Sequence, residues 1–109
     1  MTLQAAVTAR DDTTVIHLVG ELDMSTGGTL REAVQANLPG PGGRLVVDLA
    51  ELTFCDSLGL GTLLVLSRTA RARNTLLVLA GPSPYFLRMV EIAGVRAGLT
   101  IAPNDPPSR

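Results

Sequence analysis

The chain has 109 residues, 46% hydrophobic and 17% charged, and ten acids against nine basic residues leave a formal net charge of −1. Those values fit a single domain with a core of its own and exclude disorder by composition, while the missing basic excess argues against direct nucleic-acid binding. One cysteine excludes an internal disulfide, one cysteine with one histidine argues against a zinc site, and no apolar run approaches the roughly 20 residues of a membrane span.

Leu3 to Thr8 and Thr14 to Val19 read as short strands around a turn at Arg10-Asp11-Asp12, which predicts an antiparallel hairpin. Gly20-Glu21-Leu22-Asp23 is expected to leave the sheet. Ser25 or Thr26 can cap the next helix, whose apolar stripe is Leu30, Ala33, Val34 and Leu38. Gly27 and Gly28 weaken its first turn, so fraying is expected there, and Gly40-Pro41-Gly42-Gly43 stops it. Arg44 to Leu49 is a strand, and Ala50 to Asp56 is expected to be a loop. From Ser57 to about Ala72 the apolar run is too long for a strand, so a helix is predicted, with Asn74 as its stop. Thr75 to Ala80 is the next strand. Ser83 and Pro84 open a helix with Phe86, Met89, Val90 and Ala93 at core spacing, ended by Gly94. Leu99 to Ala102 closes the series as a short strand. One domain over 1–103 and a flexible tail over 104–109, with its Pro106-Pro107, are expected.

The order β-β-α-β-α-β-α-β defines an α/β domain with a mixed, largely parallel sheet and its first strand antiparallel at an edge. Its functional surface is expected where strand ends meet helix starts. Charge is distributed unevenly along this order. Up to Asp56 there are eight acids and three arginines; from Ser57 onward there are two acids and six arginines.

That crossover falls within Phe54-Cys55-Asp56-Ser57-Leu58-Gly59-Leu60-Gly61. Asp56 can cap the helix and leave Ser57 in its first turn, where free N–H groups and the positive dipole end favour a negative group. Gly59 and Gly61 remove side chains nearby and would let a partner approach. On local chemistry alone the segment reads first as a capping aspartate-serine pair, with glycines for tight helix packing. Other candidates carry less. His17 sits mid-strand without a second histidine, which suits a packed or solvent-facing ring. Cys55 has Asp56 rather than a cation beside it, which suits a small apolar residue. Glu21 and Asp23, two apart, suit a shaped loop rather than acid–base work. Arg68, Arg71 and Arg73 could meet an acidic partner or a phosphate, but read as a solvated helix end.

Gly20-Glu21-Leu22-Asp23, Val46-Val47-Asp48-Leu49, the Asp56-Ser57-Leu58-Gly59-Leu60-Gly61 segment and Leu77 through Pro84 occur in an order and spacing that resembles the STAS-domain anti-sigma-factor antagonists of bacteria. The resemblance spans about Thr2 to Ala102. It implies an STAS-like fold and a regulatory, non-enzymatic role without a cofactor or metal. It further implies a serine-kinase anti-sigma factor as partner, bound while Ser57 is unphosphorylated and released once Ser57 is phosphorylated. A serine phosphatase would restore the first state. Asp23 matches the family's acidic residue close to the acceptor, and Asp56 precedes it. The implied contact surface comprises Glu21, Asp23, Ser25 and Thr26 with Asp56, Ser57, Leu58, Gly59, Leu60 and Gly61. One departure stands out: family members commonly carry a second small hydroxylated residue after the acceptor, where this chain has Leu58. A cytoplasmic location is expected from the lack of a membrane-length apolar run and from an N-terminus with neither a basic n-region nor an apolar h-region.

Two other readings use the same fold. A constitutive STAS scaffold in a signalling or transport assembly would not need the intact Asp56-Ser57 pair. An anion- or nucleotide-binding module would use the Ser57 helix start, but the chain has no lysine and so no Gly-rich loop ending in one.

Overall fold

Five strands and three helices follow one another along residues 2–102, the part of the chain described by the computed structural model. The expected tail at 104–109 and the boundary at 103 lie outside the described residues. β1 (Leu3–Arg10) and β2 (Thr13–Leu22) pair as the predicted antiparallel hairpin. Asp11 turns it at a φ of 55°, in the left-handed region that aspartate tolerates. β3 (Arg44–Cys55), β4 (Leu76–Ala80) and β5 (Ile101–Ala102) then add in parallel, giving the sheet order β1-β2-β3-β4-β5. α1 (Gly27–Ala36), α2 (Ser57–Ala72) and α3 (Pro84–Ala93) make the three crossovers.

The strand order never reverses, so crossovers of one hand place every helix on the same face of the sheet. The main core reflects this. Leu30 and Val34 from α1, Leu60, Leu63, Leu66 and Ala70 from α2, and Phe86 and Val90 from α3 join Ile16, Leu18, Leu45, Val47, Leu49, Leu77 and Leu79 from the strands. Alternation along each strand turns the intervening residues to the other face, where Val15, Val46, Val78 and Ala80 form a smaller cluster. A sheet without a reversal also lacks the switch-point crevice in which open α/β folds hold small ligands.

Helix ends follow the local chemistry read from the sequence. Asp56 caps α2, Ser83 caps α3 with Pro84 at its first position, and Gly94 ends α3 in the left-handed conformation. Asn74, at a φ of 60°, follows the end of α2.

Several expectations are corrected. Gly20 to Leu22 does not leave the sheet, and Ala50 to Cys55 is not a loop: β2 and β3 both run on and pair with each other through Gly20↔Leu52, Glu21↔Phe54 and Leu22↔Cys55. The pairing is irregular between His17 and Val19 and again between Gly20 and Glu21, so neither extension shows a clean alternation of apolar residues. Gly20 takes a φ of 120°, and a side chain there would strike the Thr2 backbone. Thr26 occupies the cap position of α1, but its side chain makes no capping bond. Ala93 is exposed rather than in the core, and a single 3₁₀ turn at Arg96–Gly98 shortens the last strand to two residues. At the start of α1 the two glycines expected to fray are helical from Gly27 onward.

Candidate functional site

β2 and β3 end side by side. Their last paired residues, Leu22 and Cys55, hand the chain to two segments that leave the sheet together: the Asp23–Thr26 connection into α1 and the start of α2. A backbone bond from Asp56 N–H to the Leu22 carbonyl, at 3.2 Å, ties the two exits to each other.

Asp23 organises the first segment. One of its carboxylate oxygens accepts from the Ser25 hydroxyl at 2.7 Å, the Ser25 N–H at 2.9 Å and the Thr26 N–H at 3.2 Å. The Thr26 hydroxyl accepts from the Asp23 N–H at 2.9 Å and donates to the Glu21 carbonyl at 2.8 Å, which explains why it does not cap the helix. These donors, the Ser25 hydroxyl foremost, hold the Asp23 carboxyl below the usual carboxylate range, against the opposing effect of its burial. Asp23 and Thr26 are buried, whereas Met24 at the tip of the turn is 77% exposed. The turn therefore presents an apolar side chain on a polar frame.

Asp56 organises the second segment. Its carboxylate accepts the Gly59 N–H at 2.7 Å, and its carbonyl accepts the Leu60 N–H at 2.9 Å. Ser57 is thereby fixed as the first residue of α2 with its side chain exposed, and Leu58 beside it is 56% exposed. Gly59 and Leu60, expected on the contact surface, are instead interior. Leu60 packs in the core, and a Cβ on Gly59 would lie 2.6 Å from the Leu22 carbonyl oxygen and 3.1 Å from Cys55 Sγ. Gly61 is half-buried with open space where a Cβ would stand.

From Ser57 the surface continues as a groove of about 320 Å³ lined by Arg31, Ser57, Leu58, Gly61, Thr62 and Val65. Arg31, Thr62, Val65 and Met24 escaped the sequence reading. The exposed apolar Val65, one turn beyond Gly61 on a helix already rich in leucine, was the available signal. Glu21 is half-buried at the end of β2. The structure thus brings Asp23, Ser25, Thr26, Asp56, Ser57, Leu58 and Gly61 to one end of the sheet.

The remaining candidates lie elsewhere. Cys55 is buried, and its thiol is pushed up to about 12 by desolvation first and the neighbouring Asp56 charge second. His17 Nδ1 meets Asp48 Oδ2 at 2.9 Å across adjacent strands, which makes it a packed, paired ring. Arg68, Arg71 and Arg73 are exposed at the far end of α2. Among the described residues no helix is long and apolar enough to cross a membrane, and no His, Cys, Asp and Glu cluster is suited to a metal.

A five-stranded sheet with helices on one face and a polar-framed helix start at the end of its inner strands is the arrangement of an STAS domain, and the family model described as "Mlab, STAS domain" matches residues 5–101. The chain belongs to the STAS family. It is 33% identical over 96 residues to the anti-sigma-B factor antagonist of Listeria monocytogenes, covering 87% of this chain and 84% of that protein. Among solved structures, an anti-sigma factor antagonist from Mycobacterium paratuberculosis shares the fold with a TM-score of 0.79 at 24% identity, over 94% of this chain and 87% of that one. The unphosphorylated anti-sigma factor antagonist SpoIIAA aligns with a TM-score of 0.68 at 26% identity, covering 93% of this chain and 88% of its own. The phosphorylated form of the Bacillus protein aligns with a TM-score of 0.65 at 25% identity, covering 93% and 91%.

Proposed function

We propose that this protein is an anti-sigma-factor antagonist. It binds a serine-kinase anti-sigma factor while Ser57 is unmodified, so freeing a sigma factor, and releases it once Ser57 carries a phosphate. A serine phosphatase resets the switch, and the cycle runs in the cytoplasm. In this reading the chain is substrate and ligand of an enzyme and supplies no catalytic group of its own.

The observation that carries the reading is the placement of Ser57: exposed, first in a capped helix, and beside a rigid turn and an apolar groove. Antagonist names on the relatives, and a solved phosphorylated form of one of them, support it. A phosphate adds about −1.5 to −2 charge at neutral pH, and the first turn of α2 offsets part of it within the molecule. At a docked surface the same charge must be desolvated beside Met24 and Leu58. A loss of about 1.4 kcal/mol there weakens binding tenfold, and one buried unpaired charge exceeds that.

The test is co-expression with candidate serine-kinase anti-sigma factors, reading intact mass and partner retention. Wild type is expected to gain one phosphate, Ser57→Ala none, and Ser57→Asp to be retained more weakly than either unmodified protein. No phosphate with any kinase, together with equal retention of all three, would favour a constitutive scaffold instead.

A further inference from the structure

Arg31 is a cation whose charged end lies at the positive end of a helix dipole. It sits in the second turn of α1, and its guanidinium folds back over the helix start, the positive end of the dipole. A Cβ on Gly27 would lie 3.5 Å from its Nη1, and one on Gly28 would lie 3.7 Å from its Nη2. The doubled glycine, a poor way to begin a helix, thus leaves a bare backbone shelf for this side chain. Among the described residues the only ion pair is that of His17 with Asp48, so Arg31 has no carboxylate to offset its position. The two acids that frame the site are committed elsewhere: Asp23 to Ser25 and Thr26, Asp56 to the Gly59 N–H.

Arg31 from α1 and Ser57 from α2 line the same groove, whose other lining residues are Leu58, Gly61, Thr62 and Val65. We propose that Arg31 is the intramolecular partner of a phosphate on Ser57, and that the pair bridges α1 and α2 across the mouth of this groove. The inference rests on Ser57 being the phosphoacceptor and adds how the phosphate acts. A planar guanidinium can take two phosphate oxygens at once, the geometry in which charge-assisted bonds are strongest. Modification then does two things. It adds charge at the helix start, and it draws Arg31 toward the exposed apolar Leu58 and Val65 of the same groove, which removes that apolar surface from a partner. An aspartate at position 57 is shorter and carries less charge, so it imitates the first effect and only part of the second.

The experiment installs phosphoserine at position 57 during translation, so that no kinase is needed, and follows the second phosphate ionisation by phosphorus NMR. Wild type, Arg31→Gln and Arg31→Lys are compared. An adjacent guanidinium favours the dianion, so the wild-type phosphate is expected to titrate about half a pH unit or more below that of Arg31→Gln, with Arg31→Lys between them. The Arg31 side-chain N–H signals are expected to sharpen and exchange more slowly in the phosphorylated wild type. Matching melting curves of the unphosphorylated proteins establish that the exposed substitution leaves the fold intact. Coincident phosphate titrations in all three, or Arg31 signals unchanged by phosphorylation, would overturn the clamp while leaving the proposed switch standing. Failure of every kinase to modify Ser57 overturns the switch and not the titration result.

Discussion

At the scale of single residues, the site is set by two aspartates with different tasks. Asp56 caps α2, so Asp56→Ala should lower stability by about 1 kcal/mol, with Asp56→Asn close to wild type, read from urea unfolding midpoints. Asp23 frames the turn that presents Met24. Its folded carboxyl titrates below the ordinary value of 3.8, so what it contributes is present above that value and fades as pH falls through the depressed one. Acid titration followed at the Ser25 and Thr26 amides should therefore show both signals shifting together, and only below the ordinary carboxylate range. Cys55 gives the opposite sign. Its thiol keeps its proton up to about 12, whereas the unfolded chain ionises near 9.0, so stability should fall as pH rises between those values. The buried thiol should also resist alkylation at neutral pH until the protein is unfolded.

At the scale of elements, the two glycines of α2 separate cleanly although they look alike in the sequence. Gly59 faces the Leu22 carbonyl and Cys55 across a gap too small for a methyl group; Gly61 faces open space. Gly59→Ala should destabilise by about 1–3 kcal/mol, since backbone must move to admit it. Gly61→Ala should stabilise by up to about 1 kcal/mol through helix propensity, while its methyl intrudes on the groove and weakens partner retention. Thermal unfolding and a pull-down together distinguish the two. The same comparison shows where sequence reading reaches its end. Helix α2 was legible because Asp56, a run too long for a strand and Asn74 all agree locally. The outer halves of β2 and β3 were not, because Glu21, Glu51 and Thr53 interrupt the apolar alternation and the two stretches are strands only by virtue of each other. Ser57 and its cap could be read from the six consecutive residues Asp56 to Gly61. Arg31, 26 positions away, joins them only through the packing of α1 on α2, which no local pattern encodes.

At the scale of the whole molecule, the charge asymmetry acquires a direction. Glu21, Asp23 and Asp56 gather where β2 and β3 end, and Arg68, Arg71 and Arg73 stand at the other end of α2, roughly 24 Å along the helix. A phosphate on Ser57 would take the net charge from −1 to about −3 and place the whole change at the already acidic end. Nothing in the core must move to admit it. Phosphorylated protein should therefore keep its far-ultraviolet circular dichroism and melt within a few degrees of the unmodified form, with amide shift changes confined to about residues 21–31 and 55–65. Widespread shifts would mean that the switch works by refolding instead.

The bond from Asp56 N–H to the Leu22 carbonyl has a consequence for how such a surface diversifies. Its two halves are clasped by main-chain atoms, and the Met24 and Leu58 side chains project from the clasp without holding it together. Those side chains are free to vary without loosening the geometry beneath them. A cell carrying several proteins of this build could thus keep each one faithful to its own partner by changing a few surface groups, while inheriting the same scaffold. Fidelity between parallel signalling lines would then be written in the decoration and insulated from the frame.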